Sequence, residues 1–317
     1  MKNFIQEDAM HLDFPIKDIK KDFEWWYFDA ALDNGDHLVV MYSVNDTRLK
    51  PRRPSVRTNI YEANGNEIWE MKEYLETEIS LSYDQCDATF GKEYCIDRGG
   101  YYEFYTNING NGAKLKLFPE NPHWSMSAGK NLMGWTVAVP KGRVEGVIIK
   151  NGIETQVKGT GYHDHNWGSK PMSAMFKNWY WGKIHTEDVS IDYAIMIPKI
   201  GKKPFTSILV TDKSGVIFEP KFSSSLFKVK TILNNISKEP EMGFDFANEI
   251  ILKIKDKNIK MHLKIEIDRI VMKEKALFLP SESAYRYIGK ETMTINRKGE
   301  ENIYRTKSMH EIVYLEE

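Results

Sequence analysis

Cysteine is nearly absent. Cys86 and Cys95 are the only two in 317 residues, too few for a disulfide framework, so reduced thiols and a cytoplasmic location are the expectation. An excess of one charge is missing as well: 44 Lys and Arg face 45 Asp and Glu, a formal net charge of −1. A phosphate backbone is normally met by a net basic face, so no nucleic-acid partner is expected. No uninterrupted apolar run approaches the ~20 residues that a membrane-spanning helix needs; residues 135–140 and 193–198 are among the longest. The start, Met1-Lys2-Asn3-Phe4-Ile5-Gln6-Glu7-Asp8, carries acids where a secretion signal needs an apolar stretch. There is no Gly-x-Gly-x-x-Gly, Walker loop, Gly-x-Ser-x-Gly or Cys-x-x-Cys, so nucleotide-dependent and serine-hydrolase chemistry have no support. Sustained helical periodicity is also hard to find, and residues 171–177 offer a turn or two at most.

What the chain does have is the punctuation of a β protein. Asn-Gly pairs at Asn34-Gly35, Asn64-Gly65, Asn109-Gly110, Asn111-Gly112 and Asn151-Gly152 supply the positive φ angles of tight hairpin turns. Between turns the residues alternate. In residues 259–268 the odd positions are apolar and the even ones polar, and residues 113–117 do the same. Residues 36–43 and 206–211 read as more buried strands. Many short strands between frequent turns imply an antiparallel barrel or sandwich. Gly168-Ser169-Lys170-Pro171 has loop composition, which divides the chain into an N-terminal domain, 1–170, and a C-terminal domain, 171–317. A hydrophobic fraction of 41% is enough to give both a core.

Three segments could carry chemistry. In residues 161–168, Gly-Tyr-His-Asp-His-Asn-Trp-Gly, an extended backbone places His163, His165 and Trp167 on one face and Tyr162, Asp164 and Asn166 on the other. A His-x-His pair suits a transition metal, but the Glu that a cupin-like site wants is Ser169 here. Acid–base work, with Asp164 orienting a His or held protonated in an apolar pocket, is a second reading. A structural cross-link at a barrel end is the third. In Glu24-Trp25-Trp26-Tyr27-Phe28-Asp29, alternation groups Glu24, Trp26 and Phe28 against Trp25, Tyr27 and Asp29. A carboxylate beside indoles needs a partner, and Arg57 or a His is expected for Glu24. The third segment, Asn178-Trp179-Tyr180-Trp181-Gly182-Lys183, sets Trp179 and Trp181 on one face. All eight tryptophans lie at or before Trp181. Aromatic faces stabilise cations, so indoles with one or two carboxylates suit alkene protonation. They suit storage of an apolar ligand equally well.

Taken together, these three segments resemble the lipocalin-like carotenoid hydratase family. That family groups hydroxyneurosporene synthases, AttH-like proteins, kievitone hydratase and lipocalin-type Diels–Alderases. The resemblance implies an all-β chain of two lipocalin-like antiparallel β-barrels packed together, with a ligand cavity among aromatic residues near their junction. It carries activity over to His165 and Trp167 by motif position, and to Asp192 and Tyr193 by their place after Trp-x-Trp-Gly. The C-terminal half is matched only by its β character and by Ala284-Tyr285-Arg286-Tyr287. The chain is short for a carotenoid hydratase and rich in lysine, which points away from a carotenoid as substrate.

The expectation is a cofactor-independent lyase or isomerase that hydrates, cyclises or isomerises an apolar alkene, terpenoid or polyene. Asp164 or Asp192 protonates the double bond, and Trp26, Trp167, Trp179 and Trp181 face the cation. His165 orients the acid or activates a quenching water. Glu24, Tyr27, His163 and Tyr193 line the substrate site. No metal or cofactor is expected, and the partner is an apolar small molecule collected through transient membrane contact. The alternatives are a non-catalytic lipid or terpenoid carrier, a shape-based pericyclic cyclase, and a structural protein in which these motifs join the barrels.

Overall fold

Asparagine-glycine turns shape the local structure. Asn109 and Gly110 take φ of 53° and 83°, and Asn151 and Gly152 take 51° and 78°, the left-handed pairs that close two-residue hairpins. The computed structural model describes residues 4–128, 132–201, 203–219, 228–239, 243–274 and 281–316. These form two compact units, Met1–Pro171 and Met172–Glu317. Among the described residues no helix is long and apolar enough to cross a membrane.

The first unit opens with a 3-10 turn, Phe4–Asp8. Its strands begin with β1 (Phe23–Leu32), β2 (His37–Ser43), β3 (Ser55–Tyr61) and β4 (Glu67–Glu73). Next come β5 (Ile79–Leu81), β6 (Asp87–Phe90), β7 (Glu93–Asp97) and β8 (Tyr102–Ile108). The last are β9 (Asn111–Pro119), β10 (Trp124–Ala128), β11 (Met133–Lys150) and β12 (Ile153–Gly168). They curl into one antiparallel sheet of order β4-β3-β2-β1-β12-β11-β9-β8-β7-β6-β5, with β10 on β11.

The second unit starts with β13 (Phe176–His185), β14 (Ser190–Pro198), β15 (Phe205–Asp212) and β16 (Gly215–Phe218). It continues through β17 (Val229–Lys238), β18 (Asp245–Lys255), β19 (Lys260–Glu274), β20 (Ser281–Arg297) and β21 (Glu300–Glu316). The order is β16-β15-β14-β13-β21-β20-β19-β18-β17. In both units the first strand lies between the second and the last, so the two share a topology without a sequence repeat. The loop-like start of the second unit holds a single 3-10 turn, Met172–Ala174.

Period-two patterning set the faces correctly. Met261, Leu263 and Ile265 of β19 enter the second unit's core while Lys260, His262 and Glu266 stay exposed. On β1 the alternate residues Trp26, Phe28, Ala30 and Leu32 enter the core of the first unit. Phe28 stacks on Phe104 there, ring centres 4.0 Å apart.

Candidate active site

β1 and β12 lie side by side with Trp26 opposite His165, Phe28 opposite His163 and Glu24 opposite Trp167. Cross-strand partners share a face, so the histidines and Trp167 turn inward with Glu24 and Trp26. All five are buried. Gly134 of β11 makes room for the indole: a Cβ there would lie 2.0 Å from Cζ2 of Trp167.

The N-terminal segment closes the cluster. The Trp26 indole N–H donates to the carbonyl of Asp8 at 3.0 Å, and the Thr136 hydroxyl donates to that of Glu7 at 3.0 Å. Backbone N–H groups of His11 and Leu12 donate to the two carboxyl oxygens of Glu24, at 2.7 and 2.9 Å. The imidazole of His11 lies flat on Trp167, ring centres 3.6 Å apart, and His165 stacks on Trp26 at 4.4 Å.

Glu24 and His165 form the centre of the cluster, with Nε2 of the imidazole 2.9 Å from Oε1. Burial pushes the Glu24 carboxyl up to about 8, against the pull of the two backbone donors. Burial also holds the His165 imidazole down to about 3. A buried pair avoids charge, so the proton stays on Glu24 and the imidazole accepts it. Nδ1 of His165 then carries its hydrogen toward Asp8, whose Oδ1 is 3.6 Å away. Neither of these two atoms has a hydrogen-bond partner, and 3.6 Å is too long for one. His163 has separate company: Nδ1 donates to the carbonyl of Tyr27 at 2.8 Å, and Nε2 lies 3.1 Å from Oδ2 of Asp8. Burial opposes its charge, but Asp8 overcomes this and raises it well above the ordinary imidazole value.

Of two expectations about acids, the partner of Glu24 is met by the histidine alternative, and the role of Asp164 needs correction. Arg57 is not the partner of Glu24: its Nε donates to Asp46 at 2.7 Å in a buried pair, while Glu24 bonds His165. Asp164 does not join His165, because it faces the opposite side of β12. There it accepts from the Trp135 indole at 2.9 Å, the Tyr162 hydroxyl at 2.7 Å and the Asn166 amide at 2.9 Å. Burial lifts it to about 6, and the Tyr162 and Trp135 donors restrain the rise. Tyr27, opposite Asp164, shares that outer face and donates to Asp29 at 3.0 Å.

Trp179, Trp181, Asp192 and Tyr193 belong to the second unit. They divide between two faces, since the core takes Tyr180 and Ile184 of β13 with Ile191, Tyr193 and Ile195 of β14. Trp179, Trp181 and Asp192 lie on the other face with Lys183, which stands opposite Asp192. Burial holds the Lys183 ammonium down to about 7 despite that carboxylate. Inside, the Tyr193 hydroxyl lies 2.9 Å from Nδ1 of His310, and Nε2 of His310 lies 2.7 Å from Glu291.

Sequence reasoning missed Asp8, His11, His310 and Glu291. The only signal available for Asp8 and His11 was polarity in a segment that precedes the first strand. Two surface grooves, of about 690 and 450 Å³, are lined by none of the expected site residues.

No family model matches the chain. A hydroxyneurosporene dehydrogenase from Chlorobaculum tepidum is 28% identical over 109 residues, spanning 29% of this chain and 28% of that protein. The match therefore covers under a third of that relative's length. Among solved structures, CghA bound to Sch210972 superposes with a TM-score of 0.69 at 10% identity, over 93% of this chain and 89% of its own. An AttH-like protein from Nitrosomonas europaea gives 0.64 at 13% identity, over 96% of both chains. Kievitone hydratase from Nectria haematococca gives 0.59 at 13%, over 93% and 89%. The chain has the lipocalin-like fold of these structures. The likeness is one of fold and extends over 93–96% of the chain. The lipocalin-like fold admits several chemistries.

Proposed function

We propose that the protein is an enzyme that protonates an apolar alkene or polyene inside its first unit, with Glu24 as the acid. The supporting observation is the buried Glu24–His165 hydrogen bond at 2.9 Å, with Trp26 stacked on the imidazole and Trp167 tilted against it at 5.1 Å. An alkene is a weak base, so the acid must keep its proton until substrate arrives and the cation must be stabilised once formed. Burial meets the first need and the indole faces meet the second, each cation–π contact contributing roughly 0.5–2 kcal/mol.

Glu24 gives its proton to one alkene carbon, forming a C–H bond and leaving the neighbouring carbon cationic. Water adds to that carbon, and its surplus proton returns to the Glu24 carboxylate. The net reaction is alkene plus water to alcohol. Attack by a second double bond, or loss of a different proton, would give cyclisation or isomerisation from the same cation. His165 holds the carboxyl in position, and substrate enters when residues 7–12 lift from Glu24 and Trp167. The hydratase among the structural neighbours agrees with this reading.

Incubation with acyclic terpenoids such as squalene in deuterated water, followed by mass spectrometry, tests it. Wild type is expected to place solvent deuterium on carbon in the product. Glu24→Gln is expected to lose turnover by about 10²-fold or more while still quenching its tryptophan fluorescence with the same ligand. Full turnover by both Glu24→Gln and His165→Ala would refute the assignment. Binding without any product would identify a carrier instead.

A further inference from the structure

Beyond this reaction, a second constellation lies deeper in the first unit, made from residues that no sequence motif joins. Cys86 precedes β6 and Cys95 lies in β7, yet their Sγ atoms are 3.4 Å apart. Nε2 of His163 lies 4.0 Å from Sγ of Cys95. One ligand atom from each of the three residues falls within 4.8 Å of the others, and all three side chains are buried.

The hydrogen bonding fixes which way the imidazole presents itself. The Tyr27 carbonyl can only accept, so Nδ1 of His163 carries the hydrogen at 2.8 Å. Nε2 therefore faces the two sulfurs and Oδ2 of Asp8, 3.1 Å away, with a proton shared between ring and carboxylate. That proton is the one a metal ion would displace, turning the Nε2 lone pair onto the ion beside the two sulfurs. An imidazole whose far nitrogen is held by a carbonyl is the usual arrangement of a metal ligand. Two sulfurs and one nitrogen are the donor types of zinc sites, where Zn–S is about 2.3 Å and Zn–N about 2.0–2.1 Å. In a tetrahedron with such bonds, neighbouring donors stand roughly 3.5–3.8 Å apart. The observed 3.4 and 4.0 Å bracket that range.

We infer that Cys86, Cys95 and His163 bind a zinc ion, with the fourth position facing Asp8. Binding releases the two thiol protons and the proton between His163 and Asp8, and leaves two Zn–S bonds and one Zn–N bond, with no change of oxidation state. The ion would fasten the β6–β7 hairpin to β12 and, through Asp8, to the N-terminal segment.

Zinc content of the purified protein and Co²⁺ titration of the reduced, metal-free protein test the inference without reference to any substrate. One zinc per chain is expected, and Co²⁺ is expected to give a sulfur-to-cobalt charge-transfer band in the near ultraviolet. Cys95→Ser and His163→Gln are expected to bind about 10- to 100-fold more weakly, whereas Glu24→Gln keeps the band. Should either ligand variant fail to fold, the wild-type spectrum decides alone. A wild-type protein with no zinc and no cobalt–sulfur band overturns the inference, whether its cysteines are free or joined in a disulfide. Failure of the alkene chemistry leaves the metal result untouched, because the two measurements share no reagent.

Discussion

Glu24 is unusual among the acidic residues because it is wholly buried and its partner is a neutral ring. The groups that face it are His165 from β12, and His11 and the Leu12 N–H from the N-terminal segment. Its folded-state value of about 8 lies above the ordinary 4.5, so the folded chain holds a proton that the unfolded chain releases between these limits. Stability therefore falls as pH rises through that window, by up to about 1.4 kcal/mol per pH unit. His165, lowered to about 3 from 6.5, works in the opposite direction, but only below pH 6.5. From pH 6.5 to 8, Lys183 and His163 also titrate differently on folding, but both are shared with Glu24→Gln, so the difference between the two proteins isolates Glu24. Denaturant titrations there are expected to show wild type losing stability relative to Glu24→Gln as pH rises; parallel curves would show that the carboxyl is ionised throughout. That His163, His165 and Trp167 share one face, and Glu24 and Trp26 another, was legible in the sequence, because side chains alternate strictly along a strand; that the two faces meet was not. Asp8 and His11 were not, since they come from a non-repetitive segment whose path depends on what it covers.

At the scale of elements, β11 shows how a strand is shaped by its neighbour's side chain. Gly134 stands opposite Trp167, and any Cβ would enter the indole. Gly134→Ala is expected to lower stability by about 1–3 kcal/mol through overpacking, and to displace Trp167 from the His11 stack. Gly100, where a Cβ would meet nothing within 4 Å, is the matched control, and Gly100→Ala is expected to stay within about 0.5 kcal/mol of wild type. Equal effects of the two substitutions in a melting experiment would show that the indole does not need that space. The second unit repeats the device on β13, where a Cβ on Gly182 would lie 2.1 Å from Nδ1 of His310. Strand faces, turns and the domain of origin of each motif could be read from local pattern. Which strands become neighbours could not, because pairing is decided by closure of the sheet.

Across the whole molecule, both units close by the same long-range step. Phe23 pairs with Gly168 in the first unit, and Asn178 with Tyr314 in the second. The first strand waits for the last, so the loop-closure entropy is met before the pairing contributes. Refolding from denaturant, followed by far-ultraviolet circular dichroism, is expected to take milliseconds to seconds or longer, as for other non-local β topologies. Complete recovery in under a millisecond would contradict this account. The same closure explains why chemistry gathers on β1 and β12. They are the only described strands of the first unit that bring residues from both ends of its chain onto one inward face.

The amino-acid order alone determined the β class, the hairpin turns and which residues of each strand turn inward, because φ preferences and side-chain alternation act over two to four residues. It also grouped His165 with Trp167, and Glu24 with Trp26, on shared faces of their strands. Tertiary structure decided the rest. It gave Glu24 to His165 rather than Arg57 and brought Cys86, Cys95 and His163 together. Each of those outcomes depends on register between strands distant in sequence, and register is fixed only when the whole sheet buries its core.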